Sequence, residues 1–112
     1  MRIYTTTFDK DSSAWDSDND RFDLWHQELG FEVEGGIYGH HQLVFGGELD
    51  GGSVTVEICV PGQTAWRAIA SGQDASSIVV VTQIITGIRV SFVGAGASLA
   101  PEVTISSKRV GI

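Results

Sequence analysis

The stretch SVTVEICV, residues 53–60, decides the fold because its apolar and polar residues alternate with a period of two. The four apolar residues at its even positions share one face, as expected of a strand with one buried side. A Gly-Gly pair precedes the stretch and a Pro-Gly pair follows it. Glycine reaches positive φ and proline fixes φ, so both pairs favour turns. The pattern predicts a β-strand bounded by two turns.

Similar patterns recur along the chain. Residues 64–70 would pair back on this strand as a hairpin, with Trp66 in the core. The run Ile-Val-Val-Val at residues 78–81 is continuous and apolar, which predicts a strand buried on both faces. Residues 88–93 alternate again. Further strands are expected at residues 2–8, 38–45 and 102–106.

About seven or eight short strands separated by Gly-rich turns predict an all-β fold, either an antiparallel β-sandwich or a jelly roll. The chain has 112 residues, the size of one domain, so residues 1–112 are expected to form a single β-sandwich domain. Residues 36–112 would form the sandwich core. Residues 1–35 would supply an N-terminal strand and an acidic, aromatic arm. Within this arm, residues 20–29 approach helical spacing and predict one short helix or an ordered loop.

The charge pattern argues against nucleic acid as a partner. The formal net charge is −7, and the seven Lys and Arg residues are scattered along the chain. A nucleic-acid surface needs clustered cations to neutralise phosphates. No apolar run has the length of a membrane span, and the N-terminus lacks the apolar stretch of a signal peptide. We therefore expect no membrane partner and synthesis in a cytoplasm.

No residue constellation predicts catalysis, cofactor binding or metal binding. Cys59 lies in an apolar strand, where a small buried side chain is expected. His40 and His41 are adjacent on a predicted strand and would point to opposite faces, so they cannot easily share one metal ion. Residues 16–20 begin like a calcium loop, but Arg21 stands where the turn glycine is needed. We expect a protein that is not an enzyme and that holds no cofactor.

Aromatic residues in the polar N-terminal arm are the candidates for contact with a partner. Strand alternation does not explain Trp15 and Trp25, which would either cover one end of the sandwich or form a binding surface. Our hypothesis is that residues 9–31 form much of the contact with another protein. The candidate contact residues are Trp15, Phe22, Trp25 and Phe31.

Four stretches resemble small virion structural proteins of tailed bacteriophages: LDGGSVTVEI at 49–58, TAW at 64–66, GIRVSFVG at 87–94 and PEVTI at 101–105. The resemblance covers residues 43–106, and residues 1–35 do not match it. It implies a virion protein that decorates or cements the capsid, or an accessory protein of the tail or the head–tail connector. Such proteins are often jelly-roll-like symmetric homo-oligomers without cofactors. Their partners are other virion subunits, namely the major capsid protein or tail and connector proteins.

Two further classes stay open. One is a carbohydrate-binding β-sandwich module, in which Trp15 or Trp25 would stack on sugar rings. The other is a hydrolase whose carboxylates, such as Glu48 and Glu57, meet only in the folded chain. A capsid decoration protein located in the virion is the leading prediction.

Overall fold

A computed structural model describes residues 3–29 and 37–110, which form nine β-strands. This described part of the chain holds no helix of sufficient length and apolarity to span a membrane. The strands are β1 (Ile3–Phe8), β2 (Trp15–Asp16), β3 (Arg21–Trp25), β4 (Ile37–Glu48), β5 (Ser53–Cys59), β6 (Arg67–Gln73), β7 (Ile78–Val81), β8 (Gly87–Val93) and β9 (Ala100–Val110).

The strands form two antiparallel sheets. One has four strands in the order β1-β9-β4-β7, and the other has five in the order β2-β3-β8-β5-β6. The inward side chains of both sheets join one hydrophobic core, because alternate residues of each strand turn apolar side chains to the same side. The expected all-β antiparallel sandwich is confirmed. Its largest fully buried apolar side chains include Phe22, Leu24, Leu43, Ile88 and Ile105.

The helix expected near residues 20–29 is wrong. Residues 21–25 form β3, which pairs with β8 and places Phe22 opposite Val90 and Leu24 opposite Ile88. The burial of Phe22 and Leu24, two residues apart, outweighs the helical spacing of the aromatic residues. Residues 26–29 form a turn. The short β2 and β3 raise the number of strands from the expected seven or eight to nine.

The prediction that residues 78–81 are buried on both faces is also wrong. Val79 and Val81 are buried, but Ile78 is 62% exposed and Val80 is 56% exposed. The reason is that the core of the sandwich covers only the inner face of each sheet. β7 is the last strand of the four-stranded sheet, with β4 as its neighbour, and its even residues face away from the core.

The outer face of the four-stranded sheet carries hydroxyl groups and aliphatic side chains. Thr5 and Ser106 are hydrogen-bonded across β1 and β9, with their hydroxyl oxygens 3.0 Å apart. Thr7 and Thr104 form a second hydroxyl pair at 2.9 Å. His41, by contrast, is buried on the inner side, and its Nδ1 lies 2.8 Å from the Ser107 hydroxyl oxygen. His40 is exposed, so the two adjacent histidines point to opposite faces as expected.

Candidate functional site

The outer face of the five-stranded sheet carries an aromatic and charged cluster. Trp25, Trp66, Arg89 and Asp23 make up this group, called here the tryptophan cluster. The two indole rings lie 5.0 Å apart between centroids, inclined at 53°. The Arg89 guanidinium carbon lies 4.3 Å from the centroid of the Trp66 ring. The cluster therefore joins two large aromatic surfaces to a cation on one face of a sheet.

Strand register positions Trp25. It ends β3, where it pairs with Gly87 of β8. Gly87 leaves room for both indoles, because a Cβ atom added there would lie 2.8 Å from Trp25 Cε3 and 3.1 Å from Trp66 Cη2. The backbone N–H of Trp25 also donates to Glu28 Oε2 at 2.9 Å. Trp25 still exposes 37% of its surface, so it is available for contact with another molecule.

The loop between β5 and β6 positions Trp66. The thiol of Cys59 donates to the carbonyl oxygen of Gln63 at 3.2 Å. The Gln63 side-chain oxygen in turn accepts hydrogen bonds from Nε and Nη2 of Arg67, at 3.1 and 2.6 Å. These bonds hold the loop on both sides of Trp66, which is half-buried. Cys59 is buried, as the sequence predicts.

An ion pair fixes the cation of the cluster. Arg89 Nε donates to Asp23 Oδ1 at 2.6 Å, and both side chains are mostly shielded from solvent. Register places Arg89 between Asp23 on β3 and Glu57 on β5. A partly desolvated ion pair holds its guanidinium in one position, here with its central carbon over the Trp66 ring. The cluster is therefore preorganised before any partner binds.

Charges continue along the same face towards β2. Arg21 Nε lies 3.4 Å from Asp16 Oδ2 and 3.5 Å from Asp23 Oδ2, within ion-pair distance, although it makes no hydrogen bond. The Asn19 side chain donates to Asp16 Oδ2 at 2.8 Å and lowers the pKa of the Asp16 carboxyl. This hydrogen bond favours the charged carboxylate. Asp16 thus stays ionised and closes the β2–β3 hairpin.

The structure separates the predicted contact residues. Trp25 is exposed in the tryptophan cluster. Trp15 is half-buried and packs on Phe22 and Phe92, with centroid distances of 4.8 and 6.1 Å. Phe22 is completely buried in the core. Phe31 lies outside the described residues.

Sequence reasoning missed Trp66, Arg89 and Asp23 as members of a site. Trp66 was expected in the core, but it precedes β6 and lies on the outer face. A signal for the other two was present. Alternation in residues 21–25 places Asp23 beside Trp25 on one face, and alternation in 87–93 turns Arg89 outward. Only the pairing of β3 with β8 brings these side chains together.

Within residues 3–29 and 37–110, no group of three or more His, Cys, Asp or Glu residues could hold a metal ion. Asp16, the first residue of the acidic stretch, is engaged by its own turn. Glu48 lies in the four-stranded sheet and Glu57 on the outer face of the other sheet, so they do not flank a common cleft.

A shallow cavity of about 410 Å³ lies on the outer face of the four-stranded sheet. Its lining includes Ile3, His40, Gln42, Val80 and Lys108. The lining residues that the structure describes include no carboxylate. The two outer faces therefore differ in charge as well as in aromatic content.

Comparison of the chain with protein-family models, with curated protein sequences and with solved structures gave no match. The resemblance to phage virion proteins therefore stays a prediction.

Proposed function

We propose that this chain is a non-enzymatic structural protein of a tailed-phage virion, which decorates or cements the capsid through protein–protein contacts. Placement as an accessory protein of the tail or the head–tail connector is the alternative within the same class. Its partners are other virion subunits, the major capsid protein first, and copies of itself. It is made in the host cytoplasm and functions in the virion, without a nucleic-acid or membrane partner.

The tryptophan cluster is the observation that carries the binding role. Tryptophan and arginine are the residues most enriched at the energetic centres of protein interfaces. In this chain they stand on a sheet, where Gly87 and the Asp23 ion pair fix their positions in advance. Preorganisation reduces the entropy lost when two proteins bind. The cluster thus has the chemistry and the rigidity of a contact site.

Strand order supports the virion setting. With the short β2 set aside, the sheets read β1-β9-β4-β7 and β3-β8-β5-β6. In chain order these eight strands match the two four-stranded sheets of a jelly roll, an arrangement found in viral capsid and lectin domains. We infer a jelly-roll type of sandwich with β2 as an addition to one edge. This support is at the level of the fold, which many functions share.

Binding to capsid shells tests the proposal. Purified protein would be mixed with shells stripped of accessory proteins, and the bound amount would be measured by sedimentation. We expect stoichiometric binding by the natural sequence and a loss of at least about tenfold in affinity for Trp25→Ala, the effect of truncating one central aromatic contact. Failure of the natural sequence to bind shells, tails and connectors alike would refute the virion role.

Val93→Ala is the matched control. Val93 is an exposed apolar residue that ends β8, on the same outer face and at the opposite end of the strand from Gly87. We expect this variant to bind as the natural sequence does. Equal losses for Trp25→Ala and Val93→Ala would show that the cluster is not the contact site. Deletion of residues 9–31 is unsuitable, because it removes β2, β3 and the buried Phe22.

A carbohydrate-binding module is the second candidate, and the same cluster favours it. An exposed indole beside a charged pair can stack on a sugar ring and bind its hydroxyl groups. Glycan-array binding by the natural sequence that Trp25→Ala abolishes, together with indifference to virion parts, would favour this candidate. Array binding unaffected by Trp25→Ala would count against it.

A further inference from the structure

The cavity on the outer face of the four-stranded sheet crosses all four strands. Its lining includes Ile3 of β1, Lys108 and Ser106 of β9, His40 and Gln42 of β4, and Val80 of β7. Strand register places His40 opposite Lys108, and in the next outward row it places Gln42 opposite Ser106. Polar side chains therefore occupy the centre of the cavity, and apolar side chains stand at its two edges.

Lys108 differs from the other cations of the described chain. The other Lys and Arg side chains that the structure describes each make a hydrogen bond or an ion pair within the chain, namely Lys10, Arg21, Arg67 and Arg89. Lys108 makes neither in the part of the chain that the structure describes, and its side chain is exposed. His40 and Gln42 are exposed beside it, with their side-chain donors equally unengaged there. The centre of the cavity thus presents an ammonium group and N–H donors to solvent.

The carboxylates of the same face lie at the other end of the sheet. Residues an even number apart on a strand share a face, so Glu102 of β9 and Glu48 of β4 also point outward. Six residues of strand separate Glu102 from Lys108, about 20 Å at the rise of an antiparallel strand. Charges this far apart are largely screened, because the Debye length at physiological salt is about 8 Å. Among the described residues, the cavity end of the face is locally positive, although the chain carries a net charge of −7.

We propose that this cavity binds a carboxylate, and that the carboxylate belongs to an aspartate or glutamate side chain of a partner protein. One ammonium group balances the single charge of a carboxylate, whereas a phosphate group carries about −1.5 to −2. The two carboxylate oxygens accept several hydrogen bonds, and Lys108, His40 and Gln42 all have N–H donors, since a histidine ring carries at least one N–H. The proposal does not depend on the tryptophan cluster, which lies on the opposite outer face of the sandwich.

The shape of the cavity favours a partner protein over a small free acid. Pockets for small molecules bury about 70–90% of the surface of their ligand. This cavity is shallow, so a small acid in it would stay largely in water, where one exposed ion pair contributes little. A protein that inserts an acidic side chain adds contacts at the edges of the cavity. Apolar surface is present there, because Ile3 is 61% exposed and Val80 is 56% exposed.

The distance between the two edges indicates which segment would fit. Ile3 and Val80 lie on β1 and β7, which are three strand spacings apart, about 14 Å. In an extended segment, residues four apart share a face and are also separated by about 14 Å. An acidic residue midway between two apolar residues of such a segment would therefore lie over Lys108 while the apolar residues contact the edges.

Peptide titration followed by NMR tests the proposal. The probe is the capped peptide acetyl-Leu-Ser-Glu-Ser-Leu-amide, and its matched control carries glutamine in place of the glutamate, with the same shape and no charge. We expect the Glu peptide to bind in the millimolar range and to shift the side-chain resonances of Lys108, His40 and Gln42. The Gln peptide should bind at least about fivefold more weakly, the upper value for one exposed ion pair.

Two lysine variants locate the contact. Lys108→Met keeps most of the side-chain length and removes the charge, so it should weaken binding of the Glu peptide at least about fivefold and leave the Gln peptide unaffected. Lys10→Met is the control, because it changes the net charge equally at the opposite end of the sheet, where Lys10 donates to the Leu99 carbonyl oxygen. This variant should bind the Glu peptide as the natural sequence does. Circular dichroism must show that both variants are folded.

Three results would overturn the proposal: no binding of the Glu peptide, equal binding of the Glu and Gln peptides, or equal losses for Lys108→Met and Lys10→Met. Acetate that binds as tightly as the Glu peptide would overturn the assignment to a partner protein and leave a site for small free acids. The titration does not involve capsid shells or Trp25, so failure of this proposal and failure of the virion role are seen in separate measurements.

Discussion

The two outer faces of the sandwich differ in chemistry although they cover one core. On the five-stranded sheet, Arg89 forms an ion pair with Asp23 on the neighbouring strand, Arg21 forms one with Asp16 across the β2–β3 hairpin, and two tryptophans pack beside Arg89. On the four-stranded sheet, hydroxyl pairs such as Thr5 with Ser106 replace the ion pairs, and the aliphatic side chains gather at β7. Among the described residues, by contrast, the buried side chains of the inner faces are apolar apart from the His41–Ser107 pair.

This difference teaches that the apolar core specifies the fold, while the chemistry of each outer face varies independently of it. A partner with its own charges can complement the five-stranded face, where ion pairs fix the orientation of the charged side chains.

The largest expected difference in stability is between substitutions on the two faces of β3. Phe22 is completely buried and Trp25 is exposed, although both belong to β3. Phe22→Ala should lower the free energy of unfolding by about 3–5 kcal/mol, the usual loss for a buried phenylalanine. Trp25→Ala should cost less, about 1–2 kcal/mol, since 37% of Trp25 is already exposed. Urea unfolding followed by far-UV circular dichroism measures both. Equal losses would mean that Trp25 is a core residue.

A pair of glycines compares the outer faces directly. Gly87→Ala would force its Cβ against Trp25 and Trp66, so we expect a loss of about 1–3 kcal/mol in unfolding free energy and an altered near-UV spectrum. Gly46→Ala, on the other sheet, meets its first neighbour at 4.0 Å, the side-chain oxygen of Glu102. It should be neutral or stabilise by up to about 1 kcal/mol, because alanine restricts the unfolded chain. A Gly87→Ala protein with an unchanged near-UV spectrum would contradict the packing of the indoles on Gly87.

Alternation along single strands made much of the fold predictable. The even residues of 53–60 and of 88–93 face the core as expected, because a half-buried strand shows its two faces in its own sequence. The turns around β5 were also indicated by glycine and proline. These are local signals, which one segment carries by itself.

The wrong predictions depend on contacts between segments, which the sequence of one segment does not specify. Nothing in Ile-Val-Val-Val tells whether one face of the strand or both will be covered, so β7 was expected to be buried on both faces and is buried on one. Residues 20–29 hold both a helical spacing and the period-two pair Phe22 and Leu24, and pairing with β8 decides between them. The tryptophan cluster joins β3, β8 and the loop before β6, so it exists only after the strands are ordered. Trp25 alone was anticipated.

The next expected effect compares an ion pair with a hydroxyl pair. Arg89→Ala should lower the unfolding free energy by about 1–2 kcal/mol at low salt, because it removes a shielded hydrogen bond to Asp23 and the contact with Trp66. Part of this loss should vanish in concentrated salt, which screens the charges. Thr5→Val removes the exposed hydroxyl bond to Ser106 and should cost under about 1 kcal/mol at any salt concentration. A salt-independent loss for Arg89→Ala would assign its role to packing alone.

The smallest expected effect is on the pKa of two carboxyls in turns, one beside each sheet. Asp16 closes the β2–β3 hairpin and Asp74 precedes β7; hydrogen bonds from Asn19 and from Ser76, respectively, lower the pKa of each carboxyl below its ordinary value of 3.8. A carboxyl whose pKa is lower in the folded state stabilises the fold above the unfolded pKa, and this contribution disappears as the pH falls through the folded pKa. Its influence on stability is therefore confined to acid conditions.

Each turn serves as the control for the other. Asn19→Ala should raise the pKa of Asp16 and leave that of Asp74 unchanged. Ser76→Ala should raise the pKa of Asp74 and leave that of Asp16 unchanged. Each substitution removes the hydrogen bond that lowers the pKa of one carboxyl. Carbon-detected NMR titration of the aspartate carboxyls measures both values in one sample. An Asp16 titration that Asn19→Ala leaves in place would mean that Arg21, 3.4 Å away, holds the carboxylate ionised instead. The charged row of the five-stranded face would then extend unbroken from Arg89 to the hairpin tip.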